Sequence, residues 1–366
     1  MAKISRREFL ENAAVASIFA VFGRDILAQT SLAADELKVL VVGDSFIWNQ
    51  GLREEDKFYS IITDRFRSGL VPAFSKIDLK VKAHSGARIR LHPKQLEKMK
   101  KVGQETDKFY YPEADISFPS ITTQLDTARK EYRDPNSVGL VMLSGGITDL
   151  VVGNAVNPFL KKSKFLRMVH QYCHVEMKGL LEHVTETFPK AKVLVFGYFP
   201  IVSTKSDVNK IVKYLMKIVR FPHELQWLIT NGFSKQFMKI VRKATSNRSR
   251  LWFIRSNAEL AEAVDNVNAR FDKPRIALVE SPVTEETCFA TKNSLLWSLD
   301  HDNLPEDDLY LERRGKCPKV FREIKYKPFG LLSVRLCELA SVAHVNKAGS
   351  IAYANAALPK VLELFR

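Results

Sequence analysis

Five short runs of branched apolar residues, set apart by helix-like stretches, constrain this chain more than any other feature. The first is Leu37-Lys38-Val39-Leu40-Val41-Val42, which stops at Gly43. The others are Leu79–Ala83, Val138–Leu143, Lys192–Phe196 and Arg275–Val279. Continuous β-branched runs of this length read as strands buried on both faces. Helical spacing lies between and after them, from about Phe58 to Phe66, from about Phe165 to Phe188 and from about Lys347 to Ala357. In the second of these, Leu166, Val169, Tyr172, Cys173, Met177, Leu180, Leu181 and Val184 recur mostly at three- and four-residue steps. Strands alternating with helices predict an α/β chain whose parallel sheet is covered on both faces. Ligand sites in such sheets lie beyond the carboxyl ends of the strands. The residues that follow Val42, Ala83, Leu143 and Phe196 are therefore the first candidates.

The chain has 366 residues, 46% hydrophobic and 27% charged, an ordinary globular balance that argues against disorder or a small disulfide-held scaffold. We expect one domain over residues 35–366, interrupted by a helical insertion at about 202–249. In that insertion Asp207 is placed to cap a helix bearing Ile211, Val212, Leu215, Ile218 and Val219 beside Lys210, Lys213, Lys217 and Arg220. A second pattern runs from Leu225 to about Ala244. Both helices fit plain packing on the core or a basic, apolar lid. The acidic segment Leu295–Lys316 reads as a loop.

Lys and Arg total 56 against 41 Asp and Glu, a net charge of +15, which favours anionic partners. The basic residues are spread along the chain, with no zinc finger, aromatic RNA-binding signature or basic tail. We expect no nucleic-acid partner and allow peripheral contact with an anionic membrane surface. Cys173, Cys288, Cys317 and Cys337 form no CxxC pair. Cys317 and Cys337 are the closest pair in sequence, but spacing alone leaves the connectivity open. No apolar run reaches the roughly 18–20 residues of a membrane-spanning helix. Ser5-Arg6-Arg7-Glu8-Phe9-Leu10 resembles the bacterial twin-arginine export signal. A moderately apolar stretch follows from Ala13 to Phe22, then small residues suited to cleavage at Ser31-Leu32-Ala33. Residues 1–34 are thus expected to be an address read by the twin-arginine translocase, delivering the protein to the periplasm or beyond. A short amphipathic helix that stays attached is the plainer alternative.

Four short segments at predicted element ends carry the chemistry. Gly43-Asp44-Ser45 follows the first strand and precedes a helix, where a hydroxyl is exposed and backbone N–H groups point outward. His84-Ser85-Gly86-Ala87 follows the second strand, and its glycine presents an N–H without a side chain. Ser144-Gly145-Gly146-Ile147-Thr148-Asp149 follows the third and offers two glycines and a side-chain donor. His344-Val345-Asn346 opens the last helix, where an imidazole can project into a site. Separately, these segments read equally well as a helix cap, two turns and a structural histidine.

Taken in order, they resemble the SGNH or GDSL hydrolase superfamily over about residues 37 to 357. Val41-Val42-Gly43-Asp44-Ser45 matches the first block, Gly86 the second-block glycine, and Ser144–Asp149 the G-x-N-D block. Phe196-Gly197-Tyr198-Phe199-Pro200 is similar to a Gly-x-x-Pro segment, and His344-Val345-Asn346 to the final D-x-x-H-P block. The resemblance implies a three-layer α/β/α sandwich, flavodoxin-like, with about five parallel strands. It implies a serine hydrolase in which Ser45 is the nucleophile and His344 the base. The oxyanion would be held by the N–H groups of Ser45 and Gly86 and by Thr148. Asp44, Asp149 and Ser341 take supporting places. The expected substrate is a carboxylic ester of a lipid or an acylated glycan. A weakened binding protein on the same scaffold, or an acyltransferase, are the alternatives.

Three departures qualify the match. Thr148 stands where the family has an oxyanion asparagine, and loss of one such donor costs about a hundredfold or more in rate. Ser341 stands where an acid would orient the histidine, leaving a backbone carbonyl, Asp300 or Asp302 for that role. Val345 replaces the usual proline. His170, Cys173 and His174 share a helix face, but no HExxH motif is present, so no metal site is expected. No phosphate loop or dinucleotide fingerprint occurs, and no cofactor is expected.

Overall fold

A computed structural model describes residues 36–71, 74–207, 210–211, 235–300, 302, 304–327 and 329–366. The expected signal segment and most of the expected insertion, including its first helix, lie outside the described residues. The elements in chain order begin with β1 (Glu36–Val42), α1 (Ser45–Trp48), α2 (Phe58–Arg67) and β2 (Lys76–Val81). Then come α3 (Pro93–Lys101), α4 (Ile121–Glu131), β3 (Val138–Leu143) and α5 (Ile147–Leu150). α6 (Lys162–Val169) and α7 (Glu176–Thr187) are joined without a break by a π-helical turn, His170–Val175. β4 (Lys192–Phe196), α8 (Lys235–Asn268), β5 (Ile276–Val279), α9 (Tyr310–Glu323), α10 (Ser333–Glu338) and α11 (Lys347–Leu364) complete the described fold.

The five strands form one sheet in the order β2-β1-β3-β4-β5, and every neighbouring pair is parallel. Val39 to Val42 and Leu140 to Leu143 are fully buried, as expected for strands covered on both faces. α2 packs against α11 on one side, while α4, α7 and α8 pack together in a second layer. This is the three-layer α/β/α sandwich. α2 forms because Phe58, Ile62 and Phe66 bury one stripe at four-residue steps, and Arg65 and Arg67 lie in its last turn, where the helix dipole favours positive charge.

Several boundaries differ from expectation for physical reasons. β2 starts at Lys76 rather than Leu79, and its half-buried residues reflect its position at the sheet edge. α11 runs on past Pro359 because Val361 and Leu364 are buried. The segment read as an acidic loop through Lys316 becomes helical from Tyr310. The buried face of α9 is Tyr310, Arg313, Cys317 and Phe321, and the arginine interrupts the apolar pattern that would mark the helix. α8 extends well beyond Ala244, with Trp252, Leu260, Ala263 and Val267 on its buried face beside Ser249 and Ser256. A disulfide joins Cys317 of α9 to Cys337 of α10 inside a second, smaller apolar cluster with Met99, Phe118 and Phe321. Cys173 and Cys288 are free and buried. Among the described residues, no helix is long and apolar enough to cross a membrane.

Candidate active site

The carboxyl end of β1 turns through Gly43, whose φ is +144°. A Cβ there would stand 2.6 Å from both Ile47 Cγ2 and the Ser144 carbonyl oxygen, so the turn requires glycine. Gln124 fixes this peptide from α4: its Oε1 accepts from Gly43 N–H at 2.8 Å and its Nε2 donates to the Gly43 carbonyl at 3.0 Å. Asp44 then caps α1. Its Oδ1 accepts from Phe46 N–H at 3.1 Å and from the Ser144 hydroxyl at 2.7 Å, and its Oδ2 accepts from the Tyr198 hydroxyl at 3.3 Å. Burial pushes the Asp44 carboxyl above its ordinary pKa, and the bonds from Ser144, Phe46 and Tyr198 oppose that shift. One carboxylate thus ties the end of β1 to the segments that follow β3 and β4.

This construction sets Ser45 at the first position of α1. His344 Nε2 lies 2.8 Å from Ser45 Oγ. The histidine is held by its backbone. His344 N–H donates to the Ser341 carbonyl at 2.8 Å, and the His344 carbonyl accepts from Trp297 N–H at 2.7 Å. Ala343, at φ +68°, donates back to the Trp297 carbonyl at 3.0 Å. Burial first, and then the positive charge of Arg313, push the imidazole down to about 4. The carbonyls of Ser341, Val342 and Ala340 face the ring and act in the opposite sense. Nδ1 is buried and has no hydrogen-bond partner among the described residues, so neither Asp300 nor Asp302 is bonded to it. The Asp300 carboxylate accepts instead from Leu304 N–H at 2.7 Å.

The other expected residues fall around this pair in different ways. Gly86 has φ +78°, and a Cβ would stand 2.6 Å from the Ile116 carbonyl. Among the described residues, the N–H groups of Ser45 and Gly86 have no acceptor. Thr148 donates its hydroxyl to the Ala87 carbonyl at 2.5 Å, which commits its single proton to the turn after Gly86. Asp149 accepts from Ile89 N–H at 3.0 Å, and burial pushes its carboxyl up to about 7. The Ser341 side chain is bonded to other residues than His344. Its hydroxyl donates to Asp307 Oδ2 at 2.6 Å and accepts from Arg313 Nη2 at 2.9 Å.

Arg313 is the main feature that the sequence reading missed. It is fully buried and also bonds Glu113 Oε2 at 2.8 Å and Asp307 Oδ2 at 2.6 Å. Glu113 in turn accepts from the Trp48 indole at 2.7 Å, on the helix that begins with Ser45. The network therefore runs from α1 to the turn that carries His344. Arg313 lies three residues after Tyr310 and four before Cys317, a helical stripe that would have marked it as inward-facing. Gln124, between Ile121, Leu125 and Ala128 on a buried face, carries the same kind of signal.

The sequence matches no family model and no curated protein. Solved structures of low similarity exist. A phospholipase A1 from Streptomyces albidoflavus NA297 is 10% identical, with 88% of this chain and 98% of that one aligned at a TM-score of 0.43. An extracellular lipase from Streptomyces rimosus is 10% identical over 89% and 99% of the two chains, TM-score 0.42. Est24, a carbohydrate acetylesterase from Sinorhizobium meliloti, is 14% identical over 90% and 99%, TM-score 0.40. The site is defined by its own geometry, a serine and a histidine in hydrogen-bond contact at the carboxyl edge of the sheet.

Proposed function

We propose that this protein is a serine esterase of the SGNH type, acting on carboxylic esters through an acyl-enzyme on Ser45. The observation that carries the reading is the 2.8 Å contact between Ser45 Oγ and His344 Nε2 at the end of β1. Ser45 Oγ attacks the ester carbonyl carbon while its proton passes to Nε2. The carbonyl oxygen becomes an oxyanion that accepts from the otherwise unpartnered N–H groups of Ser45 and Gly86. The carbon–oxygen bond to the alcohol breaks, and the leaving oxygen takes the proton from Nε2. Water then attacks the acyl-enzyme, giving its proton to Nε2, and the proton returns to Ser45 as the acid leaves. The carbonyls of Ser341, Val342 and Ala340 stabilise the imidazolium, the part an acid plays elsewhere. Asp44 and Asp149 act by holding the two turns, and Ser341 by anchoring its own backbone.

A lipid ester or an acylated glycan is the proposed substrate class, in keeping with the net charge of +15 and its attraction to anionic surfaces. Export by the twin-arginine route to the periplasm or beyond is proposed with it. The Cys317–Cys337 disulfide supports an oxidising destination. One observation favours a catalytically weakened, ligand-binding alternative: burial and the positive charge of Arg313 both disfavour an imidazolium at His344.

Hydrolysis of p-nitrophenyl acetate and butyrate tests the proposal, with Ser45→Ala and His344→Ala beside the wild type. Turnover that disappears in both variants is the expected result. Turnover that survives in Ser45→Ala, or folded wild type without turnover on either ester, overturns it.

A further inference from the structure

We propose that His170, His174 and Glu259 form a binding site for one divalent transition-metal ion, zinc by the nature of its ligands, on the helical layer behind the Gly146 turn. Sequence spacing shows only the two histidines. The fold adds a glutamate from α8, 89 positions away in the chain. His170 Nδ1 lies 2.8 Å from Glu259 Oε2, and His174 Nδ1 lies 3.8 Å from the same oxygen. One donor atom from each residue falls within 4.8 Å of the others. Ligands at about 2.0–2.2 Å around a tetrahedral zinc stand about 3.3 Å from one another. The two nitrogen–oxygen distances bracket that value, so small side-chain rotations suffice.

Three further observations favour a metal over a simple helix-to-helix hydrogen bond. His174 Nδ1 is buried and has no hydrogen-bond partner among the described residues, although a carboxylate oxygen faces it. The two rings stack at 5.0 Å with an interplanar angle of 15°, which presents both Nδ1 atoms to Glu259. Both histidines lie in the π-helical turn His170–Val175, a departure from α geometry that recurs at functional sites. The groups around the site suit a metal as well. Arg255 Nη2 holds the second carboxylate oxygen at 3.1 Å, leaving Oε2 for the ion. Asn266 Nδ2 lies 3.4 Å from His174 Nε2, and metal binding at Nδ1 would require this amide to flip so that its oxygen accepts the Nε2 proton. Glu262, exposed and 3.8 Å from His174 Nδ1, is placed to supply a fourth ligand in place of water. Two imidazoles and a carboxylate suit zinc better than calcium or magnesium, which prefer oxygen alone.

The site bears on the rest of the molecule through Gly146. The Tyr172 carbonyl stands 3.1 Å from where a Cβ on Gly146 would lie. An ion bound at His170 and His174 would thus clamp the turn that backs Gly146 against α8. The inference does not depend on the esterase reading.

The test uses untagged full-chain protein, stripped with chelator and titrated with zinc chloride by calorimetry. We expect one ion per chain in the wild type and in Ser45→Ala, and binding weakened by about tenfold or more in His170→Ala and in His174→Ala. Cobalt(II) added to the wild type alone should give the intense visible bands of a low-symmetry nitrogen–oxygen site, a readout that needs no variant to fold. No ion bound, weak octahedral cobalt bands only, or zinc affinity unchanged in both histidine variants overturns the proposal.

Discussion

The guanidinium of Arg313 donates to the hydroxyl of Ser341 at 2.9 Å, three residues before His344. A carboxylate at that position would attract the imidazolium, whereas here a fixed cation stands behind the base. The same arginine reaches Glu113, which bonds Trp48 on the helix begun by Ser45. Ser45 and His344 are thus braced against each other through one buried cation, which adds to burial in lowering the basicity of the imidazole.

The first consequence is a low acid limit for activity. His344 is pushed down to about 4 by burial and by Arg313. The ring must be neutral to take the Ser45 proton. kcat/KM should therefore hold as pH falls through 6.5 and decline only near pH 4. A profile recorded between pH 3.5 and 8 checks this. A limb at 6.5 or higher would mean that the ring has an anionic partner.

Arg313→Met should destabilise the protein by about 3–5 kcal/mol, because it leaves Glu113 and Asp307 buried without their cation. Urea unfolding of wild type and variant measures it. A loss under about 1 kcal/mol, the scale of an exposed pair, would contradict the account.

Thr148→Val separates two roles for one hydroxyl. Its proton goes to the Ala87 carbonyl, so the change should lower kcat less than tenfold and stability by about 1 kcal/mol. An oxyanion donor would cost about a hundredfold or more. Steady-state kinetics distinguishes the two.

Asp149→Asn should stabilise the protein with a definite pH dependence. The carboxyl is pushed from 3.8 up to about 7 in the folded state, so the folded form binds the extra proton between those values. Wild-type stability contributed by this group is present below pH 3.8 and is lost as pH rises to 7. The asparagine retains an acceptor for Ile89 N–H and carries no charge. The variant's stability advantage, read as a rise in Tm, should be absent near pH 4, grow toward pH 7 and level off above it, reaching about 4 kcal/mol at most. Melting curves at four pH values check the sign.

The sheet was readable because buried parallel strands are written as continuous apolar runs. Val138–Leu143 and Lys192–Phe196 have the bounds their residues suggest. The places of Ser45 and His344 next to helix starts were readable from the neighbouring glycine and the capping asparagine, whereas their 2.8 Å contact needed the fold. What escaped is what depends on distant partners. The stripe of Tyr310, Arg313 and Cys317 turns Arg313 inward, but its partner Glu113, 200 positions away, is brought beside it only by the fold. Glu259 looks like any helical glutamate until the π-helical turn delivers two imidazoles to it. Thr148 looked like a donor to substrate, and only the fold could show that the Ala87 carbonyl takes its proton.

The most direct measurement of the central claim is covalent labelling by a fluorophosphonate, read by intact mass and peptide mapping. The account predicts one adduct per chain, on Ser45, formed at neutral pH and abolished in both Ser45→Ala and His344→Ala. A folded protein that takes no label, or that takes it on another residue while Ser45 stays free, would contradict it.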